Sequence, residues 1–384
     1  MTNDNFTRRS FLRTGGLATM GAFVLRDTAL SRPAREMTLY IGTYTSTTSE
    51  GIYVYRMNSE TGELKKFSSI KSENPSFLAL DRTGRFLYAV NEVKDFEGKA
   101  SGAVSAYAID ATGKLKFLNQ QATMGADPCY LTVDRKRGSL LVANYTGGNI
   151  ALLPIRGDGT LGPVADLKQH EGKGIKQQQN GPHAHCIILD PSERHALAAD
   201  LGIDKVMIYR FDPAARKLLS SKQPSASLKA GAGPRHLTLH PNGRFLYVIN
   251  ELDSTLTTFS YNAGALITVD TVSTLPAGFS DVSYCADVHV SPSGKFLYGS
   301  NRGHNSIVVF ALDARTGKPT LVEHTSTQGK WPRNFVIDPS GKFLLVANQH
   351  TDNVVVFKID PQTGRLTPSG QAAEVPAPVC LKFR

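Results

Sequence analysis

Residues 233–251 read GPRHLTLHPNGRFLYVINE, and the same grammar returns as NPSFLALDRTGRFLYAVNE at 74–92, DPCYLTVDRKRGSLLVANY at 127–145 and WPRNFVIDPSGKFLLVANQ at 331–349. Looser copies are AHCIILDPSERHALAADL at 184–201 and CADVHVSPSGKFLYGSNR at 285–302. Each copy is a β-rich run, a turn built on Pro-x-Gly or its equivalent, and a second β-rich run, so each predicts a hairpin. Two further strand-like runs follow each hairpin, for example TLTTFSY at 255–261 and ALITVDTV at 265–272.

A residue that opens the first run is followed, always sixteen positions later, by one that closes the second: Ser76/Glu92, Cys129/Tyr145, His185/Leu201, Arg235/Glu251, Ala286/Arg302 and Arg333/Gln349. A seventh opener, Val379, has no partner before the chain stops at Arg384, and the N-terminal run LYIGTY at 39–44 has the form of the missing closer. Openers recur every 46 to 56 residues, a period that belongs to propellers and solenoids and overrides the two or three domains that a length of 384 residues would suggest. Four antiparallel strands per repeat make a propeller blade. The expected fold is therefore all-β, a seven-bladed propeller over residues 37–384. Its last blade is closed three-plus-one, with three strands from the N-terminal side and the innermost, PVCLKFR at 378–384, from the C-terminus.

Residues 1–36 stand outside the repeat. TRRSFLR at 7–13 precedes a mildly apolar, Gly-interrupted stretch at 14–25, the pattern of a twin-arginine export signal. The expected partner there is the export machinery and the expected location extracytoplasmic, periplasmic in a Gram-negative cell. The stretch is too short for a stable membrane span. Without residues 1–35 the body keeps a formal charge of +6, and it has no Lys/Arg-rich run, which suits small anionic ligands rather than nucleic acid. The four cysteines, at 129, 186, 285 and 380, lie at or beside openers of different repeats and share no metal spacing, so they read as small buried residues.

Because neighbouring antiparallel strands return to the same face, the openers and closers should collect around one mouth of the central channel. Blades one, two and seven open with Ser76, Cys129 and Val379, whereas blades three, four and six open with His185, Arg235 and Arg333. With the closers Glu251, Arg302 and Gln349 these form a polar arc, a candidate pocket for an anion. Any one of them has a simpler explanation: a hydrogen-bonded core histidine, an ion pair between strands, a solvated arginine. Their shared register is what favours a site. His183, Asp287, His304 and His350 are expected in supporting positions, and Glu92 stands apart with no basic opener beside it.

A carboxylate and an imidazole among guanidinium groups suit hydrolysis of an ester or lactone. Glu251 or His185 would take the proton of the attacking water. Arg235 and Arg302 would stabilise the oxyanion. Arg333, with Gln349 and His183, would hold an anionic or sugar-like substituent, arginine by its bidentate geometry. No Gly-x-Ser-x-Gly elbow, P-loop or HExxH motif is present. No cofactor or metal is expected. Repeated Asp and Asn residues near strand ends are the one set that could hold a calcium ion, and they read better as blade turns.

These segments, above all GAGPRHLTLHPNGRFLYVINELDS at 231–254, with FSDVSYCADVHVSPSGKFLYGSNR at 279–302 and GPHAHCIILDP at 181–191, resemble the seven-bladed propeller lactonases, a family that holds bacterial 6-phosphogluconolactonases and the fungal carboxy-muconate lactonizing enzyme. The resemblance implies that His185, Arg235, Glu251 and Arg302 occupy active-site positions. It implies hydrolysis of a sugar-type lactone, with an intramolecular lyase or cycloisomerase as the alternative and a non-catalytic binding or surface propeller as the second. Two histidines, His183 and His185, compete for the family's histidine position, and the distance to the following proline favours His185. An export signal departs from the pattern of a cytoplasmic sugar-phosphate enzyme and points to an unphosphorylated sugar lactone or another carboxylated lactone.

Overall fold

The second run of each hairpin is the most apolar stretch of its repeat, and the fold covers it on both faces. Strands Phe86–Asn91, Ser139–Asn144, Phe245–Asn250 and Phe343–Asn348 are buried at every position. A strand with a neighbouring sheet packed on each side needs no polar alternation, just as in sheets covered on both faces. The last strand of a repeat lies at the rim, where Leu64–Lys71 and, after the buried Leu366, the rest of Leu366–Glu374 are exposed or half-buried.

The computed structural model describes residues 36–384 apart from Thr47 and Arg137. The predicted export signal lies outside these described residues. Seven four-stranded antiparallel sheets account for the repeats, as the sixteen-residue offset predicts. Their innermost strands are Leu78–Leu80, Pro128–Val133, Ala184–Leu189, Pro234–Leu239, Tyr284–Val290, Pro332–Ile337 and Pro378–Phe383, blades one to seven in that order. Each packs against the inner strands of its two neighbours, round the ring and back to blade one. Among the described residues no helix is long and apolar enough to cross a membrane.

Two devices recur. The residue ending the inner strand folds its side chain back onto the turn: Asp81 and Asp338 each accept the amide of the residue five positions on at 2.7 Å, and Ser291 does so at 3.1 Å. A tyrosine of the second strand then reaches into the next blade's outer hairpin, where its hydroxyl donates to a glycine carbonyl: Tyr40 to Gly113, Tyr88 to Gly159, Tyr247 to Gly317 and Tyr298 to Gly364. Gly317 has φ of 74° and already lies against the ring of Phe245, so neither its backbone nor its surroundings admit a side chain.

Blade seven is built from both ends of the chain. Pro378–Phe383 pairs antiparallel with Glu36–Thr43, matching Leu39 to Phe383 and Ile41 to Leu381, and Gly51–Asn58 and Leu64–Lys71 follow outward. Leu39, Ile41 and Leu381 pack with Phe343 and Leu345 of blade six, and Tyr40 with Leu78 and Leu87 of blade one. Deleting residues 375–384 strips that strand and bares both interfaces. We expect the truncated chain to lose its cooperative thermal transition by circular dichroism; a soluble truncation that melts cooperatively would sink the closure.

Candidate active site

In six blades the opener is the extra residue of a β-bulge. Pairing runs from Pro128 directly to Tyr130, from Ala184 to Cys186, from Pro234 to His236, from Pro332 to Asn334 and from Pro378 to Cys380, skipping Cys129, His185, Arg235, Arg333 and Val379. In blade five both Ala286 and Asp287 lie between the paired Cys285 and Val288. A bulge leaves its extra residue unpaired and re-aims the side chain. Two residues earlier the backbone turns left-handed, at Asn74, Asp127, Gly233, Trp331 and Ala377, and that residue's carbonyl accepts the amide of the closer: Glu92, Tyr145, Glu251, Gln349 and Tyr44. Bulge and turn together set opener and closer side by side.

The structure brings His185, Arg235, Glu251 and Arg302 into one cluster. Arg235 Nη1 lies 2.5 Å and Arg302 Nη2 2.9 Å from the same oxygen, Oε2 of Glu251, leaving Oε1 outside both ion pairs. Arg235 Nη1 also donates to Nε2 of His185, and its Nε donates to the Ala286 carbonyl at 2.9 Å. Since arginine only donates, His185 Nε2 is an acceptor, and the ring proton sits on Nδ1, 3.6 Å from the Cys129 sulfur. Arg302 Nη2 also holds the Cys285 carbonyl at 2.8 Å. Among the described residues Nη2 of Arg235 and Nη1 and Nε of Arg302 have no hydrogen-bond partner.

Burial alone would raise the Glu251 carboxyl, but the Arg302 and Arg235 charges outweigh it and hold the pKa down to about 2. Burial, reinforced by the Arg235 charge, keeps His185 well below the ordinary histidine value, so its ring is neutral near pH 7. Burial also lowers Arg302 to about 10, against the pull of Glu251, and leaves it charged. All four cysteines are buried and free.

Arg333 departs from the sequence reading. Its Nη2 donates to the Tyr44 hydroxyl at 2.7 Å, Tyr44 donates to Glu92 Oε1 at 2.8 Å, and Arg333 lies 3.9 Å from Glu92 itself. Glu92 thus has a basic partner after all, supplied by blade six across blade seven rather than by its own blade. The sequence signal for Tyr44 was its place as the seventh closer. Gln349 sits in a short 3-10 turn beside the mouth. Four opener or closer residues carry a buried polar atom without a partner: Ser76 Oγ, Glu92 Oε2, Arg302 Nε and Gln349 Oε1. These are four of ten such atoms among the described residues, and each calls for an explanation, which makes the mouth a candidate place for another molecule.

The other expected residues are peripheral. His183 stacks on Tyr145 with centroids 4.5 Å apart, and His350 stacks on Trp331 at 4.9 Å, so two aromatic-imidazole pairs stand at the rim. His304 turns to Ser306 at 2.7 Å. Asp287 lies one step down the channel, bound by His236 at 2.8 Å and His289 at 3.0 Å. Tyr145, Trp331 and His236 were not singled out as site residues because only contacts between blades reveal them. Among the described residues no group of three or more His, Cys, Asp or Glu side chains converges as metal ligands would.

The family described as "Lactonase, 7-bladed beta-propeller" matches residues 38–383. A 6-phosphogluconolactonase of Bacillus subtilis is 38% identical over 348 residues, 90% of this chain and 97% of its own. Among solved structures, a putative 6-phosphogluconolactonase from Bacteroides fragilis superposes with a TM-score of 0.86 at 40% identity, covering 91% of this chain and 98% of that one. A periplasmic gluconolactonase from Pseudomonas aeruginosa superposes with a TM-score of 0.87 at 36% identity, covering 91% and 99%. With the family match spanning nearly every described residue, the chain belongs to the seven-bladed β-propeller lactonases.

Proposed function

We propose that this enzyme hydrolyses a sugar-type δ-lactone at the mouth built by blades three to six, with Glu251 as base. The observation that carries the reading is the double grip of Arg235 and Arg302 on one oxygen of Glu251, with arginine hydrogens left over on both. The names of the relatives favour lactone hydrolysis over ring closure or a non-catalytic propeller.

In this reading water attacks the lactone carbonyl carbon and passes a proton to Oε1 of Glu251, while the carbonyl π electrons move to oxygen. The unpaired guanidinium hydrogens receive that oxyanion. A carboxylate held near 2 is a weak base, yet the two arginines serve both anions. As charge builds on the substrate oxygen, their hold on Glu251 weakens and its basicity rises. Collapse of the tetrahedral centre breaks the ring C–O bond, and the proton on Glu251 passes to the leaving alkoxide, giving the hydroxy acid. Glu251, with a side chain 16% exposed, reaches solvent better than the 3% exposed His185. His185 is a positioning residue that orients Arg235.

Arg235, Arg302 and Arg333 face Glu251 and Glu92 with His185 neutral, so one positive charge remains at the mouth. That balance matches a single oxyanion better than an added phosphate dianion. Arg333 is engaged by Tyr44 and Glu92, and Gln349 and His183 line the rim for polar substituents. An unphosphorylated aldonolactone fits this, as does the twin-arginine reading of residues 1–36, and a relative named as a periplasmic gluconolactonase supports export.

Glu251→Gln is expected to lower kcat for glucono-1,5-lactone by roughly 10²- to 10⁴-fold over the spontaneous background, and His185→Gln by less. The reverse order in steady-state assays would move the base to His185. Because Glu251 is held at about 2, kcat/KM should stay flat from about pH 7 to about pH 4 and fall only below. The depressed carboxyl contributes stability above the ordinary glutamate value of 4.5 that is lost as the pH falls towards 2, so the melting temperature should decline over the same window. A pH-rate limb near neutrality would assign another base. Finally, kcat/KM for glucono-1,5-lactone should equal or exceed that for its 6-phosphate; a preference of more than about tenfold for the phosphorylated lactone would overturn the charge argument.

A further inference from the structure

Trp331 stands two residues before its blade's opener, a position that is left-handed in five of the seven blades. Its counterparts are Asn74, Asp127, Gly233 and Ala377, whereas Trp331 has φ of 65°. For a bulky residue this is a true conformational outlier, and such outliers collect where the surroundings over-determine them for function. The backbone role, accepting the amide of Gln349 at 3.1 Å, is performed at Gly233 by a residue with no side chain at all. The indole must therefore be there for what it touches.

It touches the site. The Arg302 guanidinium carbon lies over the indole, 5.3 Å from its centroid, and also over the Tyr284 ring at 6.0 Å. His350 stacks on the indole with planes 12° apart, Tyr284 meets it edge-on at 6.3 Å, and Asn305 Oδ1 accepts the Trp331 amide at 2.8 Å. Arg302 has hydrogen bonds from Nη2 alone, which fix one corner of the fork and leave its plane to be set by packing. An aromatic ring over a guanidinium supplies that restraint, because the cation is drawn to the ring face.

We propose that Trp331 is a positioning residue for the reaction: it holds the plane of Arg302 so that the unpaired Nη1 hydrogens are aimed at the substrate carbonyl. The inference rests on the mouth being the lactone site. Backbone and side chain pull in opposite directions, which makes it testable. Trp331→Gly removes the left-handed strain, so the melting temperature should hold or rise. The same variant should lose roughly tenfold in kcat for glucono-1,5-lactone, the size of a partly desolvated cation-π contact, with KM moving less, and Trp331→Phe should recover most of the loss. In an Arg302→Ala background Trp331→Gly should change kcat by less than about twofold, since its route of action is gone. A lowered melting temperature with unchanged kcat would show a merely structural role and overturn the inference.

Trp331 is the only tryptophan of the chain, so intrinsic emission reports this position alone. Titrating the full-length protein with sodium gluconate, the product, should shift that emission saturably; an emission indifferent to gluconate in a protein that turns over the lactone would also overturn the proposal. Absence of lactone turnover in the wild-type protein, with a saturable emission change still present, would overturn the hydrolytic reading of the mouth instead.

Discussion

One extra residue in each inner strand governs this molecule. Without the bulges at Cys129, His185, Arg235, Arg333 and Val379, side chains would alternate regularly between the two faces of each blade and pack against the neighbouring blades. The bulge lets the opener escape that alternation, and the left-handed residue two places earlier ties the closer beside it. Six bulges in register create one mouth where side chains answer to no packing partner on their own strand. The apolar second strands and the tyrosine latches between blades supply stability elsewhere, so chemistry at the mouth varies without disturbing what holds the ring.

That freedom is used to bring charge together. Removing one partner from a buried ion pair costs about 3–5 kcal/mol because the other is left uncompensated. The mouth avoids this with two paired groups: Glu251 between Arg235 and Arg302, and Arg333 bridged to Glu92 through Tyr44. Burial works against the charged form of Arg333, yet Tyr44 and Glu92 outweigh it and raise its pKa. Both groups keep polar atoms unsatisfied on the inside, Arg302 Nε in one and Glu92 Oε2 in the other. Fixed donors that need no reorganisation when charge develops are what a site for an oxyanion requires.

The fold was nearly all legible in the sequence, because a repeat states the same hairpin six times and the seventh is identified by its missing half. The arc from blades three to five was legible for the same reason: Arg235 and Glu251, then Arg302, follow one another in register and in space. The second charge group was not. Tyr44, Glu92 and Arg333 belong to blades seven, one and six, and only ring closure makes the two ends of the chain neighbours. The sixteen-residue offset pairs residues within a blade and is blind to side chains that span two junctions. The stacking of Tyr145 on His183 crosses one junction and was hidden for the same reason, while that of Trp331 on His350 lies within blade six and was hidden because ring planes depend on loop path.

Sevenfold repetition and asymmetric chemistry are reconciled by where each blade spends its variation. Positions that hold the scaffold keep their bonds: Asp81, Asp338 and Ser291 cap the turns within their own blades, and the latch tyrosines at 40, 88, 247 and 298 tie each blade to the next. Positions facing the mouth do not repeat. Ser76, Cys129, His185, Arg235, Ala286, Arg333 and Val379 stand at equivalent places in their blades, and apart from the two arginines no two share a side chain. A ring of identical openers would give either a repulsive ring of like charges or an inert apolar plug. Each opener instead meets a different neighbour, and the ordered sequence histidine, arginine, glutamate, arginine across blades three to five creates a direction across the mouth, from neutral imidazole through carboxylate to unpaired guanidinium. In the proposed reaction a substrate carbonyl and an attacking water would meet that same polarity, on residues that the bulges release from blade packing.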